Sequence, residues 1–199
     1  MNGKGRLDTI LVLDFGGQYC HLIGRRVRDL LVYSEIASPD ITPAQIAELQ
    51  KKFNIRGLIL SGGPSSVYDP TSPRCDPAIL ELGIPVLGIC FGHQLIAQMV
   101  GGDVRQGASK EYGATKAKLL KPAGILQGLG RTEKVWMSHA DTVFSMPAGF
   151  EVLACTEHTP VASFRHPKKR IFGLQWHPEV VHTGHGQRML SNFVFRICK

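Results

Sequence analysis

The stretch "IPVLGICFGHQLIAQMVGG", residues 84–102, decides how this chain folds. An apolar run climbs into Cys90 and passes, with no loop between, into a helix-like pattern, and Gly88 and Gly92 flank the cysteine. "GICFG" has the form G-x-C-x-G, the thiol counterpart of the G-x-S-x-G elbow. There, small neighbours let a strand turn sharply into a helix and lift the nucleophile clear of the backbone. At a helix N-terminus the unpaired N–H groups and the dipole favour a thiolate, and they can also hold a developing oxyanion. Five residues alone leave a small packing cysteine in a tight corner equally open. A nucleophile also needs a base, and a group to orient that base.

The strand-then-glycine pattern recurs upstream. "TILVLDF" (9–15) is a continuous apolar run ending in "GGQ", and "GLILSGGP" (57–64) repeats it. Such runs are buried strands of a sheet covered on both faces. Between them, Leu22, Ile23, Val27, Leu30 and Leu31 form a helical stripe over 18–31. "VYSEIA" (32–37) reads as a second strand. "TPAQ" (42–45) opens a helix, with Thr42 as N-cap, Pro43 in the first turn and Gln45 completing a capping box; Ile46, Leu49 and Phe53 then face the core. Strand–helix alternation predicts βαβ units and a mostly parallel sheet, with sites at the carboxyl ends of the strands. The glycines at 16–17, 62–63 and 88–92 are therefore expected to converge. Beyond about residue 110, short β-prone runs ("ATKAKLL", "KVWMSH", "FEVLACT", "PVASF", "RIFGLQWH") predict a partly antiparallel second half. "GQRMLSNFVFRICK" predicts a closing helix. No repeat or linker divides residues 1–199, so a single α/β domain is expected.

The base comes from "FGLQWHPEV", 172–180. His177 ends an apolar strand, Pro178 stops it, and Glu179 is within reach of the imidazole if the chain turns.

Together these segments resemble the class I glutamine amidotransferases, whose "GICFGHQ" and "HPE" motifs carry a Cys, a His and a Glu. "LVLDFGGQY" (11–19), "RRVRDL" (25–30), "LSGGPSSVYD" (60–69), "KEYG" (110–113), "VWMSHAD" (135–141) and "HPEVVHT" (177–183) are similar to the GMP synthase branch of that family, in order and over nearly the whole chain. The resemblance implies a flavodoxin-like amidotransferase fold, with additional antiparallel strands in the second half. It implies that Cys90 attacks the side-chain amide of glutamine, that His177 shuttles protons and that Glu179 orients His177. Backbone N–H groups at Gly62 and Phe91 would form the oxyanion hole. Gln94, Ser138, His139 and Asp141 would hold glutamine. It also implies a partner, an ATP-pyrophosphatase synthetase domain or separate chain that uses ATP and magnesium to convert XMP to GMP; no cofactor is expected in this chain. Two positions depart from the branch: Ala140 replaces a usual glycine, and Lys110 a usual arginine, so a bidentate contact becomes a point charge.

Composition closes other routes. Of 199 residues, 43% are hydrophobic and 20% charged, ordinary for a globular protein, and no apolar run approaches the roughly 20 residues of a membrane span. The N-terminal apolar stretch lacks a small-residue cleavage site, so a cytoplasmic protein is expected. The five cysteines form no CxxC pair, which argues against a disulfide framework or a cysteine zinc site. His177, His182 and His185 do not share a helical face, so no metal is expected. Cys20 and Cys198 read as packing residues, and "SGGPSS" lacks the lysine of a phosphate loop. The net charge of +7 is spread along the chain, with groups at Arg25, Arg26 and Arg28 and in the expected hairpin tip "RHPKKR" (165–170). That distribution favours a solvated surface or a protein partner over nucleic acid. Two alternatives stay open: a glutaminase of the anthranilate or carbamoyl phosphate type, and a silent partner-binding module.

Overall fold

A computed structural model describes residues 5–199; residues 1–4 of the expected domain lie outside the described residues. Five strands lie parallel: β1 (Asp8–Leu13), β2 (Tyr33–Ala37), β3 (Asn54–Leu60), β4 (Val86–Ile89) and β9 (Ile171–Leu174). The rest, β5 (Asp103–Leu119), β6 (Thr132–Ser145), β7 (Glu151–Cys155) and β8 (Ser163–His166), continue the same sheet in antiparallel fashion. The nine-stranded order is β2-β1-β3-β4-β9-β8-β7-β5-β6. The last parallel strand, β9, thus inserts between β4 and the antiparallel half. That insertion is the topological fact on which the site depends.

Both faces of the parallel half are covered, as its unbroken apolar runs require. Along β1, Ile10 and Val12 join one core, together with Ile23, Val27, Met189, Leu190 and Phe193 from α1 (Cys20–Arg28) and from α4 (Gly186–Asn192) and its continuation. Leu11 and Leu13 point the other way, into a core with Ile46 of α2 (Pro43–Lys52) and Leu95 and Ile96 of α3 (Phe91–Met99). This is the alternation that a pleated strand dictates.

Several elements differ from expectation at their ends. The first helix runs over Cys20–Arg28 rather than 18–31. Its last turn is closed by N–H bonds from Leu30 to Val27 and from Leu31 to Arg28, with Leu31 in the left-handed region at φ 61°. The closing helix is helical over Gly186–Asn192 and widens into a looser turn over Phe193–Ile197. The first antiparallel strand begins at Asp103, well before 114. The capping box at Thr42 is present: Thr42 Oγ1 accepts the Gln45 N–H at 3.3 Å, and Gln45 Oε1 accepts the Thr42 N–H at 2.8 Å. "RHPKKR" forms the tip of the β8–β9 hairpin. Thr42→Ala is expected to cost about 1 kcal/mol of stability, read as a lower urea midpoint at unchanged slope.

Candidate active site

Cys90 follows β4 directly and precedes α3, at φ 53° and ψ −105°, a backbone conformation that costs energy for any residue with a Cβ. The glycines on either side make that corner possible. A Cβ on Gly88 would strike the carbonyl of Gly92, and a Cβ on Gly92 would strike the carbonyl of Leu60, because the helix folds back tightly onto two strands. The Cys90 N–H donates to the carbonyl of Leu174 at 2.8 Å, so the corner is tied to the end of β9.

Three residues beyond that end stands His177. Its N–H donates to the Trp136 carbonyl at 3.1 Å, and its own carbonyl accepts the Thr183 hydroxyl at 2.6 Å. The ring is thereby fixed at its backbone. His177 Nδ1 lies 2.7 Å from Glu179 Oε1, and Glu179 is fully buried. Arg26 of α1 donates from Nε to the Glu179 carbonyl at 2.9 Å, which holds this turn from behind. Burial works against a charged His177 ring, but the adjoining Cys90 sulfur and the Glu179 carboxylate outweigh it and push its pKa up to about 11. Cys20, Cys75 and Cys198 contrast with this arrangement: burial, above all, pushes each of these thiols up to about 12, as befits packing residues.

Cys90 and His177 open on a cavity of about 540 Å³. Gly62, Gln94, Ser138, His139, Ala140 and Asp141 are among the residues of its wall. The expected glycine-rich segments do converge: a Cβ on Gly17 would strike the Gly62 carbonyl, and one on Gly62 would lie 3.0 Å from His177 Cε1 and 3.5 Å from the Cys90 Cβ. Phe91 opens α3, so its N–H has no acceptor within the helix. The Cys90 sulfur lies 3.5 Å from the Ser138 carbonyl. Gln94 Nε2 donates to the Asp141 carbonyl at 2.7 Å and to Gln175 Oε1 at 3.1 Å, so the amide nitrogen is held by protein and the other end of the side chain is left for a ligand. His139 turns Nδ1 to the Asp141 carbonyl at 2.9 Å, and Ser66 Oγ donates to the Asp141 carboxylate. Ala140 lies within β6 and is absent from the residues with positive φ, so alanine carries no backbone penalty there. Lys110 is exposed.

Four residues of the site had not been expected from the sequence. Tyr19 meets the His177 ring edge-on with centroids 5.2 Å apart, Ser66 lines the cavity beside Asp141, and Gln175 and Arg26 brace the site from behind. Tyr19 closes "DFGGQY" after a buried strand, the position at which α/β sites gather, and so it carried a signal. The other three have no local pattern to betray them.

The sequence matches the class-I glutamine amidotransferase family over residues 11–197. The chain belongs to this family. The amidotransferase is 47% identical over 98% of its length to the GMP synthase [glutamine-hydrolyzing] of Thermosynechococcus vestitus, and 51% identical over 96% to that of Symbiobacterium thermophilum. It spans 36% of the length of each. A solved structure described as that of a "putative gmp synthase subunit a protein" from Thermoplasma acidophilum superposes with a TM-score of 0.86 at 32% identity, covering 98% of this chain and 95% of that one. A glutamine amidotransferase of Thermotoga maritima shares the fold, with a TM-score of 0.69 at 18% identity, over 96% of this chain and 84% of that one.

Two outcomes are expected. Gly62→Ala places a methyl group between His177 and Cys90 and should lower kcat for glutamine hydrolysis by about a hundredfold with little change in Tm. Because folding raises the His177 pKa from 6.5 to about 11, its contribution to stability is fully present below pH 6.5 and is lost as pH climbs toward 11. Because the Cys90 sulfur as well as Glu179 raises that pKa, the stability advantage of wild type over Glu179→Gln should hold at neutral pH and shrink as pH approaches about 11 in urea titrations.

Proposed function

We propose that this amidotransferase is the glutaminase component of GMP synthesis, residues 1–199 acting as one glutamine-hydrolysing domain with Cys90, His177 and Glu179 as its triad. The observation that carries the reading is the line Cys90–His177–Glu179, whose first two members line the cavity, with the imidazole held on its far side by a fully buried carboxylate.

In this reading the Cys90 thiolate attacks the side-chain carbonyl carbon of glutamine. The oxyanion that forms is received by backbone N–H groups at Gly62 and Phe91, donors that are fixed before the charge develops. His177, charged beside the sulfur, gives its proton to the departing nitrogen, so ammonia leaves and a γ-glutamyl thioester remains on Cys90. The now neutral ring takes a proton from water, whose oxygen attacks the thioester carbonyl. Glutamate departs and the thiolate–imidazolium pair is restored. Glu179 takes no proton; it fixes the ring and stabilises its charge, the role of the third member of any such triad. Gln94 and the 138–141 segment hold the amino-acid end of the substrate.

The ammonia passes to an ATP-pyrophosphatase synthetase unit that converts XMP to GMP. Two findings support that partner: the identity to GMP synthases along nearly the whole chain, and the length those relatives have beyond the matched part. ATP and magnesium belong to that unit, and the exposed Arg25 and Arg28 of α1 offer charge for docking. The cytoplasm, where thiols stay reduced, is the fitting compartment; all five cysteines are free, and among the described residues no helix is long and apolar enough to cross a membrane.

Glutamate release, assayed with and without a synthetase partner loaded with XMP and ATP, tests the reading. Cys90→Ala should abolish release, a loss of about a thousandfold or more, and the loaded partner should accelerate the wild type. Release unaffected by Cys90→Ala refutes the nucleophile, and equal rates with and without the partner refute the coupling.

A further inference from the structure

Outside the cavity wall, one carboxylate is buried close behind it. Glu111 of β5 pairs directly across the ladder with His139 of β6, and the side chains retain 4% and 2% of their exposure. Burial raises the Glu111 pKa, but contacts from His139, Thr159 and Thr156 outweigh it and hold the carboxyl below the usual range. Thr156 Oγ1 donates to its two oxygens at 2.9 and 3.0 Å, and Thr159 Oγ1 donates to Oε2 at 2.5 Å. His139 Nε2 lies 3.3 Å from Oε2, without the alignment of a hydrogen bond. A charge buried this deeply is costly, and apolar residues would fill the space as well.

The other side of His139 shows what the arrangement achieves. Its Nδ1 and Gln94 Nε2 converge on one atom, the carbonyl oxygen of Asp141, at 2.9 and 2.7 Å. Two donors from two different elements thus fix the end of the segment 138–141, whose Ser138 carbonyl stands beside the Cys90 sulfur. Gln94 is anchored through Gln175, while His139 is anchored through Glu111.

We propose that Glu111 is a positioning residue of the glutamine site, acting through His139 to set the wall at 138–141. The proposal rests on the glutaminase reading of the cavity and extends it to a side chain that touches neither the cavity nor the triad. Loss of the Glu111 charge frees His139 to turn, and the wall then fits glutamine less well while the His177–Glu179 contact stays in place.

The test is a double-mutant cycle read in KM and kcat. Glu111→Gln should raise KM for glutamine about tenfold or more and lower kcat by a smaller factor. In a His139→Asn background the same substitution should add almost nothing to KM, because its route of action is gone. Calorimetric glutamine binding to Cys90→Ala, with and without Glu111→Gln, should weaken in parallel without turnover. Should Glu111→Gln fail to fold, Thr159→Val removes one donor from the carboxylate and should raise KM in the same direction by less. An unchanged KM and unchanged binding, or effects of Glu111→Gln and His139→Asn that simply add, would overturn the positioning role while leaving the glutaminase reading intact. A wild-type protein that neither binds nor hydrolyses glutamine would overturn both.

Discussion

The parallel pairing of β4 with β9 is the constraint from which the site follows. Ile89 lies in register with Leu174, and one hydrogen bond, from the Cys90 N–H to the Leu174 carbonyl, joins the ends of the two strands. The cysteine and the histidine are far apart in numbering, yet each is delivered by the carboxyl end of a strand beside the other's. Without that pairing Cys90 would be a strained residue with no counterpart. With it, the backbone strain at φ 53° has a use, since it aims the sulfur into the space that His177 also faces.

Around this pair the molecule is built inward from rigid parts. Gly88 and Gly92 bring α3 against β3 and β4, so the helix N-terminus sits at the sulfur. Thr183 bonds to the His177 carbonyl and to the Trp136 N–H, and Arg26 bonds to the Glu179 carbonyl, so the histidine turn is clamped by β6 and α1 together. The opposite wall is set by Gln94 and His139 on the Asp141 carbonyl. In the proposed mechanism, preorganisation of this kind spares the reaction the cost of ordering its catalytic groups.

Much of this was legible because it is local. The strand-to-helix corner at Cys90, the apolar runs of β1, β3 and β4, and the Thr42 capping box each depend on neighbours a few residues apart. His177 and Glu179 were legible for the same reason, since Pro178 ends the strand between them. The start of β5 was not: Val104 enters the core but Tyr112 is exposed, and among the described side chains between them no apolar one is buried, so the strand shows no period-two apolar signal although its ladder with β6 is long. The supports from Arg26, Ser66, Gln175 and Glu111 are contacts between distant segments, and nothing in their own vicinity announces them. The first helix starts later because Gly17 packs against Gly62 and Tyr19 turns toward His177, so those residues serve the cavity rim, and it ends earlier because the chain turns out of the helix at Leu31, at φ 61°.

The proposed chemistry requires Cys90 to be the residue that meets a glutamine side chain, with His177 at its side. Treating the protein with diazo-oxo-norleucine, a glutamine-like electrophile, and mapping the adduct by mass spectrometry tests this most directly. Modification confined to Cys90 among the five cysteines, and slowed by His177→Ala, is the predicted result. An adduct on another residue, or labelling of Cys90 at the same rate without the imidazole, would contradict it.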